Sequence, residues 1–312
     1  MKVLFVSSAN SGISPIVEAQ GLSLQKAGIE LSFYGVKGKG ILGYLSNMSK
    51  LLRALRKTNP HVVHAHYSFC GIVSAIASRK PVVCSLMGSD VKSSGLWRMF
   101  INLFVKRFWA ATIVKSEDMK RSLGLKCLNV IPNGVDIDMF QPIDMFECRA
   151  KLGWEQDKRV VLFAANPARP EKNYLLAEQA IASLNRDDVE LQVVHGIKHN
   201  DMPTYLNAAD VLLLTSLWEG SPNVVKEAMA CNLRIVTTDV GDVAWLLEGT
   251  EGCAVTTHDP VKIAHQLDLA LQYAGTSKCR ERLITLGLDS RSVAQKILRV
   301  YEEVLKKSSP NE

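Results

Sequence analysis

Short β-branched runs alternate along this chain with longer stretches whose apolar positions recur at helical spacing, the mark of strands and amphipathic helices in regular succession. In the first half, strands are predicted over residues 3–7, 31–34, 61–65, 82–85, 111–114 and 127–131, with helices over 15–26, 42–58 and near 71–77. The polar loop 8–14 ends on Ser14, which suits an N-cap, and Pro15 suits the first helical position, where its missing N–H is not needed. Pro132, Asn133 and Gly134 then break the pattern with turn chemistry, and residues 141–144 read as loop. A second series follows, with strands over 159–164, 190–194, 211–215, 234–237 and 254–256 and helices between them. Strands alternating with helices pair in parallel and carry helices on both faces of the sheet. The expected organisation is two parallel α/β lobes, residues 1–150 and 151–290, hinged near 132–155. An amphipathic helix over 291–307, in a C-terminal segment 291–312, fits against either lobe.

Composition agrees with two packed interiors. The chain has 312 residues, enough for two cores of about 150 each. Apolar residues make up 47% and charged ones 22%, and disorder is expected only over 308–312. Seven cysteines are dispersed without a C-x-x-C pair or metal-ligand spacing, which predicts free thiols in a reducing compartment. Residues 1–6 run straight into a strand without a signal-peptide pattern, and no uncharged apolar stretch of about 18 residues occurs. A cytoplasmic protein is expected. Charge is unevenly spread: residues 1–150 hold 19 Lys+Arg against 9 Asp+Glu, and residues 151–312 hold 18 against 22. A basic front half suits an anionic partner such as nucleic acid, an acidic membrane surface or a phosphorylated acceptor; ordinary solvated surface is the plainer alternative. No nucleic-acid-binding motif accompanies the charge, so nucleic acid is not an expected partner.

The segment Glu219-Gly-Ser-Pro-Asn-Val-Val-Lys-Glu227 carries the strongest chemical signal. It follows the predicted strand 211–215, at the carboxyl edge where doubly wound sheets bind ligands. Ser221 and Pro222 read as the cap and first residue of a helix. The N–H groups of Asn223, Val224 and the next residue then form an anion site at the positive end of the helix dipole. A diphosphate fits there. Glu219 and Glu227 cannot serve as phosphate ligands, but they suit hydroxyls of a sugar and a ribose on either side of one. The alternative is a capped helix with surface acids.

This segment, continued by Ala-Met-Ala, resembles the signature of the retaining GT-B glycosyltransferases of family 4. Residues 132–136 (PNGVD), 85–90 (SLMGSD), 166–173 (NPARPEKN) and 64–67 (HAHY) resemble the same family in the same order, in particular its bacterial transferases of teichuronic-acid and other cell-surface polysaccharide pathways. The resemblance spans nearly the whole chain. It implies two Rossmann-like parallel-sheet domains facing across a cleft, and transfer of a hexose-type sugar from a UDP- or GDP-linked donor to a saccharide or lipid-linked acceptor with retention. Glu227 would then bind the ribose and Glu219 the donor sugar, while Arg169 and Lys172 neutralise the diphosphate. Arg169 and Lys172 stand closer together than the family's usual pair. Gly12 and Ser14, in the first strand–helix loop, would approach the donor phosphate and the acceptor; this loop lacks G-x-G-x-x-G, which counts against a nicotinamide enzyme. His66 and Asp90 follow strands and would position acceptor or donor hydroxyls, with Met87 where the family carries a His.

Asp136 and Asp138 match a D-x-D pattern but follow the Pro-Asn-Gly turn, so they read as structural, and neither a catalytic metal nor another cofactor is expected. Residues 97–109 (WRMFINLFVKRFW) combine aromatics with Arg98, Lys106 and Arg107. They read as a helix packed on the first lobe or as one lying on an anionic inner membrane leaflet, which would make the protein peripheral there. Two other functional classes remain: a nucleotide-sugar epimerase or phosphorylase on the same scaffold, and a non-catalytic nucleotide-sugar-binding protein.

Overall fold

The computed structural model describes residues 1–308 apart from 11, 39, 89 and 91–94. Ser89 of the 85–90 motif, Ser11 of the 8–14 loop and residues 309–312 of the expected disordered tail lie outside the described residues. The chain forms two compact units, one of Met1–Gly134 with Ser290–Glu312, the other of Val135–Asp289.

The first unit is built on strands β1 (Lys2–Ser8), β2 (Glu30–Val36), β3 (Val62–His66), β4 (Val82–Ser85), β5 (Ala111–Val114) and β6 (Asn129–Val130). They pair in parallel in the order β2-β1-β3-β4-β5-β6. Side chains alternate across the pleat, and both faces are buried, as parallel sheets require. Leu4, Val6, Val63 and Ala65 face one cluster with Leu51, Val73, Ile101 and Phe104 from three helices. Val3, Phe5, Val62 and Val83 face the other, against Val17 and Leu24 of the helix Pro15–Lys26. Val293, Ile297 and Tyr301 of the helix Ser290–Ser308 complete that second cluster. The C-terminal helix thus belongs to the first unit. Its Tyr301 hydroxyl lies 2.6 Å from His64 Nδ1, whose ring also meets Ser85 Oγ at 2.8 Å through Nε2.

The second unit repeats the plan with β7 (Arg159–Phe163), β8 (Val189–Val193), β9 (Val211–Leu214), β10 (Arg234–Thr238) and β11 (Ala254–Thr256). The order is β11-β10-β9-β7-β8, again with every pairing parallel. Val160, Leu162, Leu212 and Leu214 pack on Val225, Ala228 and Met229 of the helix Asn223–Ala230. Val161, Phe163 and Leu213 pack on the helices Tyr174–Leu184 and Pro260–Gln272.

Two expectations about boundaries change. Residues 135–150 lie in the second unit, not the first. Two arginines hold them there, Arg149 buried and Arg280 partly so. Arg149, in the helix Met145–Leu152, pairs with Asp210 at 2.7 Å and donates to the carbonyls of Ala208, Gln156 and Lys158. Arg280 donates to the carbonyls of Ile137, Phe140 and Ala230. The expected helix over 42–58 is two helices, Gly40–Leu45 and Met48–Thr58. Asn47 sits between them because its buried amide donates to the Gly43 and Lys37 carbonyls at 2.7 Å each, and a side chain so engaged competes with the helical ladder.

Tyr301→Phe should lower stability by about 1–3 kcal/mol, because it leaves the buried His64 nitrogen without its partner. Denaturant unfolding of the variant checks this, and an unchanged midpoint would contradict the placement of the C-terminal helix.

Candidate functional site

In an open parallel sheet, ligands gather outside the carboxyl ends of the strands, where successive connections leave in opposite directions. In the second unit that reversal falls between β7 and β9, which are neighbours in the sheet although β8 lies between them in sequence. The loop after β7 carries Arg169 and Lys172, and the loop after β9 carries Glu219. The strand order therefore brings together two segments 47 residues apart.

The contact is an ion pair. Lys172 Nζ lies 2.5 Å from Glu219 Oε1, with both side chains largely shielded from water. Ser216 Oγ donates to the same carboxylate oxygen at 2.8 Å. The two loops are also laced through the backbone: Thr215 Oγ1 donates to the carbonyls of Lys172 and Asn173, and Leu217 N–H donates to the Glu171 carbonyl. Arg169 is engaged elsewhere. Its exposed guanidinium pairs with Glu171, whose carboxyl is held below the usual range first by its own backbone N–H and then by this guanidinium.

The helix after Glu219 begins at Asn223, with Pro222 as N-cap, one residue later than the sequence predicts. Ser221 is not the cap; its hydroxyl accepts a hydrogen bond from Lys226 Nζ at 3.1 Å. Asn223, Val224 and Val225 form the first turn, where the helix dipole is positive. Gly241, after β10, has φ +62°, and a Cβ there would come within 2.8 Å of the Gly220 carbonyl oxygen. The β9 and β10 loops touch here backbone to backbone, and only glycine permits both the contact and the dihedral.

Glu227 sits a turn further along and is nearly buried. Its Oε1 meets His199 Nε2 at 2.9 Å, and the His199 ring packs on Phe140. The Glu227 hydrogen bond raises the His199 pKa, against a smaller opposing effect of burial. His199 lies after β8 in the turn His199–Asp201; nothing in the sequence marks it beyond a polar loop behind a strand. Lys226 is 0% exposed. Burial lowers its pKa to about 8, while Asp242 and Glu227 oppose the fall by favouring the charged form. A lysine amid Val-Val and Ala-Met-Ala was the sequence's one hint of this internal cation.

In the first unit the corresponding reversal lies between β1 and β3. Gly12 lies in the loop after β1 with φ +92°, and no atom crowds its missing Cβ, so its dihedral accounts for the glycine and its surroundings do not. Ser14 is the N-cap of the helix Pro15–Lys26, though its side chain makes no capping bond. His66 ends β3, stacked on His64 and tilted against Phe5. Burial, assisted by nearby Lys115, lowers its pKa to about 3. His66 is therefore neutral near pH 7 and able to offer a hydrogen bond but not an imidazolium proton. Next to it, Tyr67 holds φ +87°, a strained value for a bulky residue at a strand end. Asp90 is buried, and its Oδ2 accepts from the N–H groups of Ser68 and Met87, which fixes the turn that carries the motif. Asp136 Oδ1 accepts from the N–H groups of Asp138 and Met139, as a turn-forming aspartate does. No helix among the described residues is long and apolar enough to cross a membrane.

Two parallel α/β units of this topology define a GT-B-type fold, and comparison with known proteins gives the same class. Residues 17–139 match Glycosyltransferase Family 4, and residues 155–272 match Glycosyl transferases group 1. The chain thus carries a glycosyltransferase domain of each of these two kinds, one after the other. It is 28% identical over 233 residues to TuaC of Bacillus subtilis, a glycosyltransferase assigned to teichuronic acid biosynthesis, covering 64% of this chain and 58% of that one. It is 24% identical to the UDP-Gal:alpha-D-GlcNAc-diphosphoundecaprenol alpha-1,3-galactosyltransferase of Escherichia coli, over 63% of this chain and 62% of the relative. The chain thus spans about three fifths of the length of these curated relatives. Among solved structures, it superposes on the sucrose-phosphate synthase of Thermosynechococcus elongatus with a TM-score of 0.83 at 16% identity, over 99% and 100% of the two chains. Anabaena HepE in complex with UDP gives 0.78 at 18% identity, over 97% and 100%.

The His199–Glu227 contact has a pH signature. Because the folded pKa of His199 is raised, its contribution to stability is complete below its unfolded value of about 6.5 and is lost as pH rises through the folded value. His199→Asn should flatten that part of the pH–stability curve, as thermal unfolding from pH 5 to 9 would register. Lys226→Met should destabilise by about 1–3 kcal/mol by leaving buried polar partners unmatched, although it removes an internal charge. Denaturant unfolding measures this; a stabilised variant would show that burial of the ammonium dominates.

Proposed function

We propose that this protein transfers a hexose-type sugar from a nucleotide-diphosphate donor to a saccharide or lipid-linked acceptor, with retention at the anomeric carbon, in the assembly of cell-surface polysaccharide. One observation carries the reading: the Lys172–Glu219 pair stands at the sheet's reversal beside the helix whose first turn is Asn223, Val224 and Val225 and whose next turn holds Glu227. A cation and a positive helix end suit a diphosphate. The carboxylates on either side suit hydroxyls, Glu219 those of the sugar and Glu227 those of the ribose.

In this reading, the bond from the anomeric carbon to the diphosphate oxygen breaks with its electron pair leaving on the diphosphate. Lys172 and the helix N-terminus stabilise the charge that develops there, a contribution of about 2.7–4 kcal/mol for one well-placed donor. Glu219 holds the Lys172 ammonium in place while receiving sugar hydroxyls. The acceptor oxygen bonds to the anomeric carbon from the side the diphosphate leaves, and its proton passes to a phosphate oxygen, which balances the exchange. Lys172 and the helix N-terminus do the work of a metal, so none is required. Arg169 joins the site only by turning from Glu171. Gly12 and Ser14 approach the donor phosphate and the acceptor, and His66 and Asp90 position acceptor or donor hydroxyls, His66 as a neutral hydrogen-bonding group. A uridine donor is favoured because the Escherichia coli relative is named for UDP-Gal and HepE was solved with UDP-glucose.

The test combines a thermal-shift screen with UDP, GDP, ADP and their sugars with a transfer assay that measures nucleotide release with and without saccharide acceptors. Release should depend on acceptor. Lys172→Ala and Glu219→Gln should each lower kcat by about 10²–10³-fold, and Glu227→Ala should weaken nucleotide binding by about tenfold or more. Full turnover by Glu219→Gln would end this reading. Epimerised donor appearing without an acceptor would favour an epimerase instead.

A further inference from the structure

The helix Gly95–Arg107 buries Ile101, Phe104 and Val105 in the first unit, yet its opposite side is also apolar. Leu96 is 80% exposed, Met99 69%, Phe100 42% and Leu103 48%. These positions follow the i, i+3, i+4, i+7 spacing of one helical face. One turn further along the same face stand exposed Lys106 and Arg107, with Phe108 (54% exposed) just beyond the helix. Trp97 stacks between Phe69 and Phe100, which makes the stripe a rigid aromatic ledge. A contiguous apolar face rimmed by cations marks an interaction surface and not the scattered exposure normal on a monomer.

The charge of the unit indicates the partner. Counted over the two structural units, the first holds 23 Lys+Arg against 8 Asp+Glu, a balance of +15, and the second holds 14 against 23, a balance of −9. This contrast is sharper than the one seen when the chain is cut at residue 150. A second copy docking through the same face would bring together two units that each carry a balance of +15. An anionic lipid surface satisfies both features, taking the apolar side chains below the headgroups and the cations among them.

We propose that this helix face docks the protein on an anionic membrane leaflet, with Leu96, Met99, Phe100 and Leu103 inserted and Lys106 and Arg107 among the lipid headgroups. The face belongs to the first unit and the Lys172–Glu219 pair to the second, and the docking does not depend on the donor reading.

Co-sedimentation of the full chain with vesicles of pure phosphatidylcholine, and of phosphatidylcholine with phosphatidylglycerol at 3:1, tests the proposal. Binding should be at least tenfold stronger to the anionic vesicles. Met99→Ser combined with Leu103→Ser, which leaves net charge unchanged, should reduce that binding at least tenfold while preserving the thermal unfolding midpoint. Lys106→Glu with Arg107→Glu should abolish the preference for anionic lipid. Equal binding by wild type and the double-serine variant would overturn the proposal, since charge alone would then explain adhesion. A wild-type chain that stays in the supernatant would also overturn it. So would a wild-type dimer by light scattering that the serine variant breaks, because a second copy would then be the occupant.

Discussion

Parallel strands all present their carboxyl ends at one edge of a sheet, and each connection must leave over one face or the other. Where neighbouring strands send their chains to opposite faces, a gap opens at the sheet's edge. Both units of this protein have the same reversal, between β1 and β3 and between β7 and β9. In the second unit the gap is bridged by charge, with Lys172 from one side and Glu219 from the other. Ser216, Thr215 and Leu217 brace the same two loops, so the pair stands on a fixed frame.

The second unit also uses cations inside its structure. Arg149 on Asp210, Arg280 on three carbonyls and Lys226 beneath Ser221 tie loops to helix ends where an apolar core cannot reach. Arg149 and Lys226 are buried and Arg280 is partly so, and each has a hydrogen-bonding partner, the condition under which a buried cation is tolerated. The unit's surface is left acidic, whereas the first unit keeps most of its lysines and arginines outside. The two halves thus present opposite charge to solvent although they share one topology.

Much of this architecture was legible in the chain. Buried parallel strands read as continuous apolar runs, and all but the edges of β1–β11 fell where those runs lie. The helix Pro15–Lys26 was legible to the residue, because proline at the first position and a serine before it are local signals. The glutamate pair and its helix were visible for the same reason. Ser221 was misread as the cap because serine is the commoner choice there, and only the buried Lys226 shows what its hydroxyl does instead. The division at residue 150 failed because the ties from Arg149 and Arg280 reach across 61 and 143 positions respectively.

The sequence by itself determined the class of each element, the parallel sheets, the positions of Glu219 and Glu227 on one strand–helix connection, and the uneven charge. These follow from periodicity, turn residues and composition, all short-range or additive. Only the tertiary structure decided which cation faces Glu219, that Arg169 pairs with Glu171, that His199 meets Glu227, that the C-terminal helix closes the first unit's core, and that the 95–107 helix leaves one apolar face in water. Those outcomes depend on strand order and on side chains distant in sequence, for which no local pattern carries information.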